Sequence, residues 1–459
     1  MAEGSSNITY DGNSKEKWIL KDNEYCFLPS NQKISYDSII ILEMFYIEDS
    51  DKLFEGLDLL YLNSSPSVKS MLHYREIQYN TKFNSFKGHQ NLPPIINSKF
   101  KNQVPLGAFH DLGEDIDEIY IVLYATLPSI ITLQIHANFD SNVSEKINET
   151  IYAYHDEIKE KTETLNGEFI YRNYPPYHIK RTEINAIRNK LKSSVVKFLS
   201  EYFEGVFFKQ GKKDISFIVS IDLFSLNYPN ETENINEWLS NNNGFLECLG
   251  IEIFLRNAYK CNNYLFLFHS FNMNYEVPNY SIIANLYGAN ENNVYPSIKS
   301  SVQYPLYSCS FELLCFERWL EMNMKTGTHF NLLISKESEY IDKDDFQTAI
   351  TNRQNISKVL FLFERFKIDF DKDFSFFSNN SLRFRSIDGK NKDLSNIILE
   401  NITKNMDYID VFSNILNSHS DRTLALKNTI YNKNIQNRVL ILAVVAVFLA
   451  IVQIYLSID

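Results

Sequence analysis

Basic residues are in the minority, 45 Lys and Arg against 57 Asp and Glu, and no basic stripe runs through the chain. Without positive charge to neutralise phosphates, the composition argues against general nucleic-acid binding. The short runs Lys180-Arg181 and Lys209 to Lys213 read as ordinary surface. Cysteine is sparse as well. Cys26, Cys248, Cys261, Cys309 and Cys315 are odd in number and lack the close pairs of a zinc site, so free thiols in a reducing compartment are expected. Met1 to Asn13 has no apolar core, which argues against a signal peptide, and the Asn-x-Ser/Thr sequences at Asn63, Asn142 and Asn148 then read as chance matches in an Asn-rich chain. Glycine and proline number only 14 and 12 while Asn, Ile, Lys, Tyr and Phe abound, a bias that AT-rich coding imposes on any protein. Also missing are the phosphate loop Gly-x-x-x-x-Gly-Lys-Ser/Thr, the Gly-x-Ser-x-Gly elbow, His-Glu-x-x-His and Gly-x-Gly-x-x-Gly. The common single-motif enzymes are not signalled, and the sequence names no cofactor.

What is present is a long stretch free of charge, Val439 to Ile458, reading VLILAVVAVFLAIVQIYLSI. At about 1.5 Å per residue it reaches roughly 30 Å as a helix, the thickness of a bilayer's hydrocarbon core. A transmembrane helix is expected here in preference to a buried core helix. Only Asp459 follows, which gives the expectation of a tail-anchored, single-pass membrane protein. Just upstream, Lys427, Lys433 and Arg438 occur with no acid between Thr423 and Arg438, a basic collar in a chain of net charge −12. By the positive-inside rule this collar puts the N-terminal region in the cytoplasm.

A second pattern runs through the span. Ala443, Ala446, Ala450, Gln453 and Ser457 alternate spacings of three and four residues, and the register continues upstream through Ala425, Thr429, Asn432, Gln436 and Val439. Small residues let helix backbones approach in lipid, and Gln453 and Ser457 can hydrogen-bond across such a contact. A seam of this period implies left-handed association of several helices. It is read as an oligomer contact or a pore lining, against the alternative of a chance run of Ala.

With 44% hydrophobic and 14% aromatic residues, the region before the span can bury a substantial core. The expected fold is an α/β domain with a mixed sheet and helices, then a helical stalk and one C-terminal transmembrane helix. The expected boundaries are a disordered start at 1–15, an α/β cytosolic domain of one or two lobes at 16–300, a helical region and stalk at 301–438, and the span at 439–458. Ser38 to Ile47 reads as a buried strand, and Asp117 to Thr126 with Ile130 to Phe139 as the clearest hairpin. Residues 83–106 read as a long loop, 144–163 and 183–203 as helices, 205–208 with 214–224 as a hairpin turning at Gly211, and 247–255, 264–270 and 281–287 as strands. Helices are expected over 311–324 and 346–366, then one from Leu394 to Ile458 weakened near Asn417 to Asp421.

Several motifs read better as structure than as chemistry. Arg172 and His178 have the Arg-x-His spacing of HEPN-type ribonucleases, but Pro175 and Pro176 between them deny a continuous helix. Asp369, Asp371 and Asp373 resemble the start of a calcium loop, yet Phe374 stands where Gly is required and Asn380 where Glu is, which favours a solvated strand or turn edge. The acidic groups Glu48, Asp49 and Asp51, and Glu114 to Glu118, flank expected strands and read as solubilising strand ends, with cation binding as the alternative. His136 reads as a half-buried or exposed sheet residue.

An acidic α/β region, then helices, then Leu424 to Arg438 running straight into a span resembles the stalk and first membrane helix of CorA-type divalent-cation transporters. The resemblance covers roughly the last 60 residues and is one of layout. The family's Gly-Met-Asn signature and its second span have no counterpart in this sequence. It implies a soluble domain coupled through a helix to an oligomeric membrane element. The expected role is a membrane effector in which a cytosolic sensor, bound by an unknown ligand or protein partner, controls a homo-oligomeric membrane helix, as prokaryotic antiviral effectors do. A membrane-tethered enzyme without a recognisable motif, a scaffold, and a CorA-like transport protein are the alternatives.

Overall fold

Ser38 to Ile47 is apolar on both of its alternating sets, so a strand made from it must be covered on both faces. In the computed structural model this strand is β1 (Ser35–Tyr46), with every side chain from Ser38 to Phe45 buried. The residues described are 12–28, 32–70, 88–104, 107–163, 169–212, 214–228, 232–251, 258–261, 264–268, 280–285, 311–324, 346–380, 384–387 and 393–456. The chain divides into two compact units, Met1–Cys315 with Asp373–Leu399, and Phe316–Lys372 with Glu400–Asp459.

The first unit is built on a mixed sheet of 11 strands with β1 near its centre. On one edge β1 pairs antiparallel with β6 (Ile130–Phe139), which is joined to β5 (Ile116–Leu127) through the two-residue turn Pro128-Ser129. This is the expected hairpin. Beyond β5 lie β3 (Ile95–Asn97) and β4 (Ala108–His110), with β2 (His89–Asn91) also on β5. On its other edge β1 pairs with β9 (Ser220–Leu226), which takes β12 (Tyr280–Asn285) in parallel. β11 (Tyr264–Phe268), β10 (Ala258–Cys261) and the two-residue β13 (Arg385–Ser386) follow in that order. A separate ribbon pairs β7 (Ile158–Glu163) with β8 (Phe169–Tyr174).

Helices α1 (Gly12–Tyr25), α2 (Ser50–Leu60), α3 (Ser141–Tyr152), α4 (Pro176–Leu199), α5 (Val206–Gly211), α6 (Thr232–Asn241) and α7 (Asn243–Cys248) belong to the first unit, with a short helical turn at Pro66–Ser70. α4 buries Ile184, Leu191, Val195 and Leu199 along one stripe and begins with Pro176, whose missing N–H costs nothing in a first turn.

The structure departs from the expected elements at identifiable places. Residues 205–224 are not a hairpin, because α5 and a 3-10 turn at Ile215–Phe217 precede β9. The cause lies on β1, where the buried Glu43 carboxylate accepts the α5 N–H groups of Phe207 at 2.8 Å and Phe208 at 2.7 Å. A carboxylate at those first N–H groups fixes a helix start. Gly205 admits it, since a Cβ there would lie 2.5 Å from Glu43 Oε1 and 2.4 Å from the Met44 carbonyl. The expected strand at 247–255 begins instead within α7, which takes in residues 247 and 248, and Gly250, at φ 75°, ends α7 with Ile251 N–H bonded to the Leu246 carbonyl at 2.8 Å; residues 252–255 lie outside the described residues. The 144–163 helix stops at Tyr152, and its charged tail becomes β7. The 83–106 segment holds β2 and β3 rather than only loop.

In the second unit, residues 316–324 of α8 (residues 311–324) join the helical stretches 346–372 of α9 (Phe346–Asn380) and 400–456 of α10 (Leu394–Leu456). Phe316 and Trp319 meet Phe366 at ring distances of 5.3 and 4.9 Å. Arg353 bonds Asp421 at 2.7 Å and Lys367 pairs with Asp410, so α9 and α10 run antiparallel here. α10 is unbroken over its 63 residues, including the expected weak point at 417–421. Asp369, Asp371 and Asp373 lie inside α9, not on a strand or turn, with Asp373 buried.

Burial pushes Glu43 up from 4.5 to about 7, against the lowering effect of its backbone N–H partners. The folded state therefore keeps a proton that the unfolded chain releases, and stability from this group falls as pH rises between those values. Glu43→Gln should flatten the pH dependence of unfolding across that window by on the order of 3 kcal/mol, read from denaturant midpoints at a series of pH values.

Candidate functional site

The organising feature of the second unit is the far half of α10. Leu424–Ala450, 27 residues of mean hydropathy 1.5, is long and apolar enough to cross a membrane, and none of it is buried. Its large side chains from Val439 to Leu449 stay open, from 48% exposed at Val445 to 67% at Leu442. A contiguous apolar surface of this extent is a site for lipid or for another protein. The run qualifies upstream of Val439 because the helix is continuous there, but its charges Lys427, Lys433 and Arg438 all precede Val439. One candidate spanning helix is compatible with single-pass membrane localisation.

The continuous helix fixes where the sequence-predicted residues point. At about 100° per residue, Ala425, Thr429, Asn432, Gln436, Val439, Ala443, Ala446 and Ala450 fall within an arc of about 100°. Lys427 and Arg438 lie roughly 130–150° from the centre of that row and Lys433 about 90° away, so the collar stays off the seam. Lys427 is half-buried, while Lys433 and Arg438 are exposed. Gln453 is within α10. Its side chain, and Ser457 altogether, lie outside the described residues.

In the first unit, charge and polarity are buried at places the sequence reading passed over. Tyr36 Oη donates to Asp222 Oδ1 at 2.5 Å, the Arg188 guanidinium pairs with Asp222 Oδ2, and Arg188 Nη1 donates to the Leu249 carbonyl at 2.8 Å and to Asn185 Oδ1 at 3.1 Å. Burial pulls Arg188 down, with Tyr36 acting in the opposite direction, and pushes the Tyr36 hydroxyl up. One turn along α4, Lys192 is pushed down to about 7 by burial and then by Arg188. Lys180 donates to the carbonyls of Asn23 at 3.2 Å and Ile151 at 2.7 Å and sits 4.7 Å over the Phe27 ring, tying α4 to the end of α1. Elsewhere on the sheet Thr126 and Thr132 donate to the Glu312 carboxylate at 2.6 and 3.3 Å, and burial pushes that carboxyl up to about 7. His136 is buried rather than half-buried or exposed, lies 2.8 Å from Gln134, and is pushed down to about 4 by burial. A signal for these groups was present: Glu43 interrupts an apolar strand, and Arg188 and Lys192 interrupt an apolar helical stripe.

Lysines meet several of the acidic residues that flank the strands. Asp115 bonds Lys146 at 2.8 Å and Lys190 at 3.2 Å, Asp117 bonds Lys99 at 2.9 Å, and Asp49 bonds Lys52 at 2.9 Å. Among the described residues, no group of three or more His, Cys, Asp or Glu can hold a metal ion. Arg172 belongs to β8, and His178, in the first turn of α4, stacks on Tyr174 at 5.0 Å. Cys26, Cys248 and Cys315 are free and buried. An open groove of about 560 Å3 runs between α9 and α10, lined by Arg353, Phe361, Glu364, Lys367 and Asp410 among others. No known protein-family model matches the chain, and no curated protein matches it.

The buried pair at the heart of the sheet unit has a measurable signature. Arg188→Met leaves the Asp222 carboxylate without its countercharge and should cost about 3–5 kcal/mol, whereas Arg188→Met combined with Asp222→Leu should recover part of that loss. Denaturant unfolding of the single and double variants measures the difference.

Proposed function

We propose that the chain is a single-pass membrane effector in which the sheet unit, facing the cytoplasm, controls how the membrane helices of several copies associate or open. The observation that carries this reading is the apolar run of α10, none of which is buried among the described residues. Orientation follows from the basic collar Lys427, Lys433 and Arg438, placed immediately before the charge-free part of the run. Association follows from the row through Ala443, Ala446 and Ala450, where small side chains allow helix backbones to approach while the bulky Val, Leu and Phe face lipid. The trigger is a ligand or partner of the sheet unit, and the output is altered membrane permeability, the mode of an antiviral membrane-disrupting effector.

Removing residues 439–459 should release the protein into the soluble fraction with the sheet unit folded, because the core residues of that unit all lie outside the deleted segment. Membrane association resistant to carbonate in the truncated form counts against the proposal. In dye-loaded liposomes the full chain should cause leakage. Ala446→Leu should reduce both leakage and crosslinked oligomer, although it makes the span more hydrophobic, while Val445→Leu, one position round the helix, should leave both unchanged. Equal behaviour of the two variants would falsify the role of the seam.

A further inference from the structure

Below the membrane run, α10 carries three large apolar side chains that are open to solvent: Tyr408 at 54% exposure, Val411 at 65% and Ile415 at 45%. Their spacing continues the seam without a break. Tyr408, Val411, Ile415, Ser418, Arg422, Ala425, Thr429, Asn432, Gln436, Val439, Ala443, Ala446 and Ala450 alternate three- and four-residue steps throughout. At about 1.5 Å per residue the row is roughly 63 Å long. The helix's own packing uses another face. Ile402, Met406, Ile409 and Ser413 are the buried set, and Asp410 is held by Lys367.

We infer that Tyr408, Val411 and Ile415 form the water-side half of a self-association surface, docking against the same strip of a second copy of this chain with the two helices parallel. This rests on the reading that copies share one orientation in a membrane. Lipid cannot be the occupant, since Ile415 lies about 36 Å of helix from Val439. A second copy fits for a reason specific to this row. It passes in one register from bulky apolar residues, through small and polar ones, to alanines at the depth where lipid begins, and a helix of the same sequence and height matches bulky to bulky and small to small along its whole length. Copies anchored in the same membrane present their helices parallel and at equal height, which is the geometry a homotypic row requires. The row keeps a period of about 3.5 residues, so a straight helix would drift by about 20° per seven residues and the contact is a left-handed coil. Arg422 is the single charge in the row, a placement that fixes register in coiled coils at some cost in stability.

The test uses the full chain reconstituted in liposomes. Val411→Cys should give a disulfide-linked dimer on mild oxidation, while Lys358→Cys, exposed on α9, should not. Val411→Asp should raise the protein concentration needed for assembly by about tenfold or more, with circular dichroism unchanged because the side chain it replaces is exposed. Equal crosslinking at the two positions, or assembly of Val411→Asp at the parent concentration, overturns the inference. If Ala446→Leu abolishes assembly while both Val411 variants behave like the parent protein and its control, the strip fails and the membrane seam stands. A parent protein that is monomeric in liposomes removes both.

Discussion

Buried charged groups of the sheet unit meet backbone groups at Glu43 and Lys180, hydroxyls at Glu312 and an opposite charge at Arg188, and several of these contacts tie helices to their neighbours. Glu43 is set in the most buried strand, and its carboxylate takes the first N–H groups of α5, so strand and helix are positioned by one side chain. Arg188 bridges α4 to Asp222 on β9 and to the carbonyl that follows α7. Lys180 gathers the carbonyl ends of α1 and α3. Breaking any of these leaves a desolvated group without compensation, and that penalty exceeds the net worth of an ordinary hydrogen bond.

The second unit solves the opposite problem. Where the sheet unit hides its charge, α10 displays its hydrocarbon, with the large side chains from Val439 to Leu449 exposed and none of them covered among the described residues. The aromatic cluster of Phe316, Trp319 and Phe366 and the two ion pairs from α9 hold only the near half of that helix. The packing of α10 therefore lies at one end and its exposed apolar surface at the other.

How much of this was legible in the sequence follows from the range of the forces involved. The β5–β6 hairpin is written locally, in alternating apolar residues around Pro128-Ser129, and the membrane run in an absence of charge. Both were readable. Residues 206–211 are helical because of Glu43, whose carboxylate meets Phe207 from 164 positions away in the chain, and no local pattern carries that. The charged segment Ile158–Glu163 has the composition of a surface helix and becomes a strand by pairing with Phe169–Tyr174. Asn417 to Asp421 are poor helix formers, yet the helix continues through them and Arg353 grips its far side at Asp421. Which apolar residues of α10 stay open below the run, Tyr408, Val411 and Ile415 among them, was not readable, because it depends on which face α9 covers.

An unbroken α10 has a mechanical consequence. A continuous α-helix is stiff to twisting, so it works as a drive shaft in which rotation at one end arrives at the other. The bearing is formed by Lys367 on Asp410 and Arg353 on Asp421, two teeth that fix both the height and the azimuth of the shaft. Sliding such a shaft past its neighbour proceeds by whole turns of about 5.4 Å, since intermediate positions leave ridges on ridges. A displacement of α10 along α9 would therefore be stepped rather than graded.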